Sequence, residues 1–270
     1  MSIKVNGRTI AGFTFPGGER HVNVKDIPEA VSYFVESKIR SSDDLVETSL
    51  VCDALSRKSP EIPIDLAIPY FPYARQDRVC TEGDPFSLNA ACRIINSIYA
   101  RQCIVFDPHN PDAITPYLGN CRIVNNKDFI NKVIDSLDPD FLICPDAGAR
   151  KKYREIFKLL PTVECMKKRD PATGKLSGFS IVYTNPKDFP WEGKRGLIVD
   201  DICDGGGTFL GVADLFPKSE LCLAVSHGIF SQGLDVLYEK FTHIATTNSY
   251  FDQQTDSRVC TYKWNQLNVY

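Results

Sequence analysis

The sequence lacks the features that mark membrane, secreted and nucleic-acid-coating proteins. No run of apolar residues approaches the roughly 20 that a membrane-spanning helix requires. The N-terminal residues lack the charged-then-apolar pattern of a secretory signal. The net charge of −3 disfavours a surface built to bind nucleic acid or anionic membrane. We therefore expect a cytoplasmic protein with neither kind of partner.

Metal-binding and redox motifs built from cysteine are also missing. The ten cysteines are scattered between Cys52 and Cys260, and no Cys-x-x-Cys or zinc-type Cys/His spacing occurs. Several lie inside apolar runs, such as 102–106 and 221–225. We interpret them as small buried hydrophobic residues of a protein in a reducing cytosol.

The pattern of apolar residues predicts an α/β fold. Short apolar runs alternate with amphipathic segments, which is typical of parallel strands covered by helices on both faces of the sheet. We expect two similar lobes, residues 1–139 and 140–270, each a mainly parallel sheet flanked by helices, with a cleft between them. A single doubly wound domain is the alternative. The predicted strands are 64–71, 102–109, 140–148, 195–201, 221–228 and 242–249, with a late edge strand in 257–267; the predicted helices are 41–58, 85–100, 127–137 and 148–157.

Each of the six main apolar runs ends abruptly in polar or glycine-rich sequence, for example at 74–78 and 200–208. In open α/β sheets, ligands bind outside the carboxyl ends of the strands. The reactive residues of this chain are therefore expected to collect along one edge and to act as a set.

The strongest local motif lies in 196–216, where an apolar strand ends in two aspartates and a glycine turn opens a helix. Three successive glycines let backbone N–H groups approach an anion closely, and the helix start favours negative charge. Adjacent carboxylates can accept hydrogen bonds from the vicinal hydroxyls of a ribose. The predicted ribose-phosphate site comprises Asp200, Asp201, Asp204, Gly205, Gly206, Gly207 and Thr208.

Two common nucleotide motifs do not explain this turn. No Walker A sequence occurs in the chain, and the third glycine of a dinucleotide fingerprint would fall at Leu210. The turn instead resembles the phosphoribosyl diphosphate (PRPP) binding motif shared by type I phosphoribosyltransferases and PRPP synthetases. On its own, the motif does not separate enzymes that make PRPP from enzymes that use it.

A second segment favours the enzymes that make PRPP. Residues 68–78, with the sequence IPYFPYARQDR, are similar almost residue for residue to the nucleotide segment of PRPP synthetases, which phosphoribosyltransferases lack. Arginines suit triphosphate oxygens, while the neighbouring amide and carboxylate suit adenine or ribose. The chain thus resembles a shortened PRPP synthetase with a type I phosphoribosyltransferase-like fold, compact enough to suit a phage.

Further segments resemble that family in the same order, so the resemblance covers about residues 13 to 250. It implies transfer of the terminal diphosphate of ATP to the C1 hydroxyl of a ribose phosphate, with Mg²⁺. It also implies a homo-oligomer with the adenine site at a subunit interface, and a lid opened by 167–169. The implied ATP-binding residues are Phe15, Glu19, Arg75, Gln76, Asp77 and His109; the implied metal contacts are His109 and Asp146; the implied catalytic residues are Lys167, Arg169 and His109.

The chain departs from the family in length and at two positions. The first strand and helix of the family are expected to be missing and the C-terminal tail is short, so the usual hexamer and phosphate/ADP regulation are not implied. Gly17 stands where the family has Asp or Asn. Gly205 replaces the usual Thr and leaves more room beside the 5-phosphate, so ADP-ribose is an alternative acceptor; neutral drift from Thr to Gly is the favoured explanation of the change.

Two other functions stay open at this point. A phosphoribosyltransferase would share the PRPP turn, although the segment 75–78 and the cations Lys167 and Arg169 argue against it. A non-catalytic regulatory homologue would be expected to have lost those cations, and they are present.

Overall fold

The structure, a computed structural model, describes residues 3–169, 176–252 and 256–267. The chain divides into two compact units, Met1–Asn125 and Asn126–Tyr270. This division comes earlier than the predicted 139/140 because the helix over 127–137 packs on the second unit. At its start, Asn126 Nδ2 donates to Ser226 Oγ at 2.8 Å within the core.

The first unit is built on a sheet with six described strands, of which the last four along the chain are parallel. Its strands are β1 (Ile3–Val5), β2 (Arg8–Ile10), β3 (Phe13–Thr14), β4 (Arg20–His21), β5 (Tyr33–Ser37), β6 (Ile64–Ile68), β7 (Gln102–Phe106) and β8 (Cys121–Val124). Within the described residues, the sheet order is β2-β1-β5-β6-β7-β8, and β3 pairs with β4 as a separate hairpin. Among the described strands of the main sheet, β1 alone runs in the opposite direction: it is antiparallel to β2 on one side and to β5 on the other.

The helices of the first unit are α1 (Ser42–Lys58), α2 (Ser87–Asn96) and α3 (Pro111–Ile114). Helix α1 begins at a capping box, in which the side chains of Ser41 and Asp44 each accept a hydrogen bond from the other's backbone N–H. Acidic residues in its first turn and basic residues in its last turn complement the helix dipole. The buried face of α1 packs in one hydrophobic core with the strands of the main sheet.

The second unit carries a longer parallel sheet. Its strands are β9 (Phe141–Cys144), β10 (Thr162–Arg169), β11 (Leu176–Asn185), β12 (Arg195–Cys203), β13 (Glu220–Gly228), β14 (His243–Thr247) and β15 (Val259–Tyr262). In the part of the chain that the structure describes, the order is β11-β10-β9-β12-β13-β14-β15, and only β11 is antiparallel to its neighbour. The helices are α4 (Lys127–Leu137), α5 (Ala147–Lys152), α6 (Gly207–Ala213) and α7 (Asp235–Tyr238).

The prediction of two mainly parallel sheets flanked by helices is therefore confirmed. Because β12 and β13 are buried on both faces, their sequences are nearly continuous apolar runs. Among the described residues, no helix is long and apolar enough to cross a membrane.

Candidate active site

The predicted nucleotide segment of the first unit forms a tight turn after β6. Tyr73 has a φ of 59°, and Gln76 N donates to Tyr73 O at 2.9 Å, which closes the turn. Arg75 and Gln76 are exposed, while the side chain of Asp77 is only 6% exposed. Arg78 donates to Asp77 through Nε at 2.8 Å and Nη2 at 3.0 Å. The turn thus presents Arg75 and Gln76 to solvent and holds Asp77 as an ionised acceptor.

The segment after β7 contacts this turn directly. Asn110 Nδ2 donates to Asp77 Oδ2 at 2.7 Å, which ties the ends of two neighbouring strands together. His109 is exposed beside this contact, and Asp107 before it is buried with a φ of 39°. The Arg78 guanidinium lowers the pKa of Asp77 most, and Asn110 and the His109 ring lower it further, against the effect of burial. The structure therefore brings Asp77 and His109, predicted separately, into one cluster.

The two other predicted nucleotide residues, Phe15 and Glu19, lie together at the tip of the β3–β4 hairpin. Phe15 N donates to Glu19 O at 2.8 Å, and Gly18 adopts a φ of 96° in the turn. The Phe15 ring is 44% exposed and contacts the rings of Phe13 and His21. The tip thus offers an aromatic surface and a carboxylate to solvent.

The hairpin is anchored to helix α1 by a buried ion pair. Arg20 Nε donates to Glu47 Oε2 at 2.7 Å, and its Nη2 contacts the same oxygen. A second nitrogen, Nη1, donates to Thr14 Oγ1 at 2.8 Å. The Glu47 side chain is only 1% exposed, so its charge depends on Arg20 for compensation.

Replacement of Arg20 by alanine is expected to lower the free energy of unfolding by about 3–5 kcal/mol, because it leaves a buried carboxylate unpaired. Arg57→Ala is the matched control: its pair with Asp53 lies on the exposed surface of α1, where water and salt screen such pairs and they contribute little to stability. Urea unfolding curves measure both. The double variant Arg20→Ala/Glu47→Gln should recover part of the loss, and equal effects of the two single variants would contradict the role of burial.

In the second unit, the predicted metal contact and the predicted catalytic lysine form an ion pair. Asp146 caps helix α5, and its Oδ1 accepts from Gly148 N at 2.9 Å and Ala149 N at 3.1 Å. Its Oδ2 pairs with Lys167 Nζ at 2.7 Å. Burial alone would raise the pKa of Asp146, but the Lys167 ammonium and the two N–H donors outweigh it and lower that pKa.

The two aspartates of the sugar-phosphate motif differ in their surroundings. Asp201 is buried, accepts from Ile202 N at 2.8 Å, and pairs with Lys152 Nζ at 3.3 Å. Asp200 is half-buried and accepts from Asp201 N at 2.9 Å. Burial raises the pKa of Asp200 well above its usual value, and the carboxylates of Asp201 and Asp146 raise it further. Three carboxylates therefore crowd this end of the sheet.

The glycine turn has the shape that the motif predicts. Gly206 has a φ of 82°, and a Cβ there would lie 2.7 Å from Leu237 Cδ2, so only glycine fits. Asp204 Oδ1 accepts from Ser231 Oγ at 2.6 Å, which ties the turn to the loop after β13. Gly207 begins helix α6 with open space beside it, and Thr208 follows. The turn is thus rigid on its inner side and open at the helix start.

Gly206→Ala is expected to lower the free energy of unfolding by about 2 kcal/mol, because alanine is strained at this φ and would overlap Leu237. If the turn binds the ribose phosphate that its motif predicts, the apparent KM for that ligand should rise as well. Gly205→Ala is the matched control, since a Cβ at Gly205 would lie 3.4 Å from Gln232 Cγ, an ordinary contact. Denaturant unfolding and substrate titration compare the two variants. Equal losses from both would contradict the assigned geometry.

The predicted lid is only partly covered by the structure. Lys167 and Lys168 lie on β10, opposite Phe179 and Gly178 on β11. The backbone of Arg169 pairs with Leu176, but its side chain and residues 170–175 lie outside the described part of the chain. The roles of Lys167 and Arg169 in a lid therefore stay predictions.

Sequence reasoning missed two residues that complete the site. Lys152 compensates Asp201 from the last turn of α5, and Ser231 holds Asp204. Neither belongs to the motif it supports, although the basic run at 150–152 after Asp146 was an available signal. His227, by contrast, is buried, and its Nδ1 contacts Ser249 Oγ at 2.7 Å within the second unit.

Comparison with known proteins points to one family. Residues 2–98 match a family model described as the N-terminal domain of ribose phosphate pyrophosphokinase. The chain is 30% identical over 242 residues to the ribose-phosphate pyrophosphokinase of Thermococcus kodakarensis, covering 87% of this chain and 83% of the relative. It is also 30% identical over 243 residues to the Pyrococcus furiosus enzyme, covering 87% and 84%. The fold matches the crystal structure of phosphoribosylpyrophosphate synthetase from Mycobacterium smegmatis with a TM-score of 0.79, at 21% identity, over 97% of this chain and 88% of that one.

Proposed function

The chain belongs to the ribose-phosphate pyrophosphokinase family, and from that premise we propose that it transfers the β,γ-diphosphate of ATP to the C1 hydroxyl of ribose 5-phosphate, giving PRPP and AMP. One observation carries the proposal. In the second unit, the carboxyl ends of β9 and β12 and the adjoining part of β10 bring together a phosphate-type glycine turn, two carboxylates suited to a diol, and a lysine poised on Asp146.

The sugar phosphate is held by the turn and the aspartates. The open N–H groups from Gly205 to Thr208 bind the 5-phosphate, as helix starts bind anions. Asp200 and Asp201 accept hydrogen bonds from the ribose 2- and 3-hydroxyls, with Lys152 keeping Asp201 in position. This fixes the C1 hydroxyl for in-line attack, which is most of what the protein must do in phosphoryl transfer.

The nucleotide is held by residues of the first unit. Arg75 neutralises phosphate oxygens, Gln76 and Asp77 bind the nucleoside, and His109 lies beside Asp77. Phe15 offers a ring for the adenine to stack on, with Glu19 at the same tip. The exposed aromatic tip also supports a homo-oligomer in which the adenine site lies at a subunit interface.

Lys167 and Arg169 neutralise the charge that shifts as the β-phosphorus is attacked and AMP leaves. The ammonium of Lys167 already pairs with a carboxylate, so exchange of Asp146 for phosphate oxygens releases that carboxylate. Asp146 is then free to contact a metal.

A divalent cation fits the residues present, and Mg²⁺ fits them best. The donors are carboxylates, the oxygen ligands that Mg²⁺ prefers. Burial raises the pKa of Asp200 most, and the carboxylates of Asp201 and Asp146 raise it further; a cation would relieve this second effect. Bound there, Mg²⁺ would neutralise phosphate charge. Asp146 is the proposed oxygen contact in the second unit, and His109 of the first unit is the proposed second contact, through a metal-bound water.

ADP-ribose is the second candidate acceptor, and the open space at Gly205 supports it. Packing does not force glycine at position 205, because a Cβ would meet Gln232 at only an ordinary distance of 3.4 Å. The missing side chain therefore leaves room beside the 5-phosphate site that a 5-substituted ribose could use. Gly205→Thr should then shift the ratio of acceptor rates about tenfold towards ribose 5-phosphate.

The deciding assay mixes ATP and Mg²⁺ with either ribose 5-phosphate or ADP-ribose and follows AMP, with ³¹P NMR to identify the diphosphate product. Faster reaction with ribose 5-phosphate is expected. Faster reaction with ADP-ribose would select the second candidate. No AMP release with either acceptor would refute diphosphate transfer and point to a PRPP-using transferase or a regulatory homologue.

The proposed location is the cytoplasm. All ten cysteines lie in described residues and all are free, which suits a reducing compartment.

A further inference from the structure

A cluster of three different donor groups lies at the amino ends of β13 and β14, opposite the ends that carry the candidate active site. Glu220 and Cys222 are two residues apart on β13, so both side chains leave the same face of the sheet. His243 on β14 is the register partner of Cys222 and leaves that face too. The donor atoms of all three lie within 4.8 Å of one another.

The three donor atoms surround one position, which the Thr242 hydroxyl oxygen occupies. Thr242 Oγ1 lies 3.1 Å from Glu220 Oε1, 3.7 Å from Cys222 Sγ and 3.3 Å from His243 Nδ1. A carboxylate, a thiol and an imidazole thus surround one small polar atom. Thr242 is exposed, so rotation of its side chain would clear this point.

The carboxylate is already oriented by a neighbour. Arg195 Nη2 pairs with Glu220 Oε2 at 3.1 Å, so the other oxygen, Oε1, is the one that faces the cluster. Arg195 is itself fixed by Leu137 O, to which Nη1 donates at 2.7 Å, and by Asp140, which accepts from its backbone N–H at 2.8 Å. Partners of this kind hold metal ligands in position in many proteins.

We propose that Glu220 Oε1, Cys222 Sγ and the His243 imidazole form a binding site for Zn²⁺ or a similar borderline divalent cation. Mixed sulfur, nitrogen and oxygen donors suit Zn²⁺, whereas Mg²⁺ requires oxygen. Tetrahedral zinc places such donors roughly 3.3–3.6 Å apart, so the cluster closes by about 1 Å on binding. The Cys222 thiol gives its proton to solvent, and water fills the fourth position because Glu220 and His243 reach the surface.

The site is distinct from the metal chemistry of the proposed transfer reaction. It lies at the other end of β13, and it joins the starts of two neighbouring strands. Bound metal therefore stabilises the sheet of the second unit, because binding to the folded state alone raises its stability.

Cobalt titration tests the proposal, because a thiolate bound to Co²⁺ gives a charge-transfer band that oxygen ligands do not give. The titration is run with excess Mg²⁺ to occupy oxygen sites, and Zn²⁺ is added last to displace the cobalt. Wild-type protein should show the band and lose it to Zn²⁺. Cys222→Ser should abolish it, and the control Cys80→Ser/Cys260→Ser, which removes the two exposed cysteines, should retain it.

A second variant guards against misfolding of Cys222→Ser, whose side chain is buried. His243 is exposed, so His243→Gln should fold normally and bind Co²⁺ at least about tenfold more weakly. Zn²⁺ should raise the melting temperature of the wild type but not of either ligand variant. No band in the wild type, or an unchanged band in Cys222→Ser or His243→Gln, would overturn the proposal.

Discussion

Lys167→Ala is expected to lower turnover by about 10³-fold or more. A cation that neutralises the transferring phosphoryl group supplies on the order of 10³–10⁵ in rate, and Lys167 is the cation already placed on Asp146. The variant should still fold, because this ion pair is partly exposed and such pairs contribute at most about 1 kcal/mol to the free energy of unfolding. Steady-state kinetics with ATP and ribose 5-phosphate, together with a melting curve, measure both effects.

Lys168→Ala is the matched control for this experiment. Lys168 is the exposed neighbour of Lys167 on β10 and its side chain leaves the opposite face of the strand. The Lys168→Ala variant should retain most of the wild-type activity. Lys167→Arg separates charge from geometry, and we expect only partial recovery because a guanidinium does not reproduce the compact ammonium. Near-normal turnover of Lys167→Ala would remove Lys167 from the mechanism.

The fold could be predicted where burial on both faces makes a strand continuously apolar. β12 and β13 are such strands, and their predicted positions agree with the structure. The hairpin of β10 and β11 was missed because its sequence is polar and its residues beyond 164 leave the parallel sheet. The antiparallel strands β1 to β4 were missed because each has only two or three residues, too few for a periodic pattern.

The chemical types in the site could be predicted, but most of their pairings could not. Asp146 and Lys167 were assigned separate roles, and their ion pair depends on β10 lying beside β9. Lys152 was missed because it lies on helix α5, whereas its partner, Asp201, is far away in the sequence and belongs to strand β12. Sequence motifs name the groups that touch a ligand, while the residues that compensate buried charge are determined by packing.

Asp200→Asn is expected to make the protein more stable and far less active. Asp200 carries a raised pKa because it is partly withdrawn from water and lies near the carboxylates of Asp201 and Asp146, so its ionised form destabilises the folded state. The amide removes that charge, and the melting temperature at neutral pH should rise by a few degrees. The same change should weaken the proposed hydrogen bonds to the ribose hydroxyls, so the apparent KM for ribose 5-phosphate should rise about 10–100-fold.

The way in which the stability gain of Asp200→Asn changes with pH distinguishes removal of a charge from a change in packing. A carboxyl whose pKa is raised in the folded state costs stability in full above that pKa, and the cost shrinks as the pH falls from there to the pKa of the unfolded chain, about 4. The advantage of Asp200→Asn should therefore shrink on acidification. Melting curves are recorded in the presence of a chelator, with Asp138→Asn as the control, since Asp138 is exposed with a φ of 46° that asparagine tolerates.

Added Mg²⁺ should narrow the difference between wild type and Asp200→Asn. A cation near Asp146 and Asp201 would relieve the same repulsion that the amide removes, so the wild type should gain more stability from Mg²⁺ than the variant. An advantage that grows on acidification, or a gain from Mg²⁺ that is equal in both proteins, would show that charge crowding at Asp200 is not the cause. In the proposed site, the carboxylates assigned to the ribose diol destabilise the empty protein because a sugar and a metal-bound diphosphate have to be held close together.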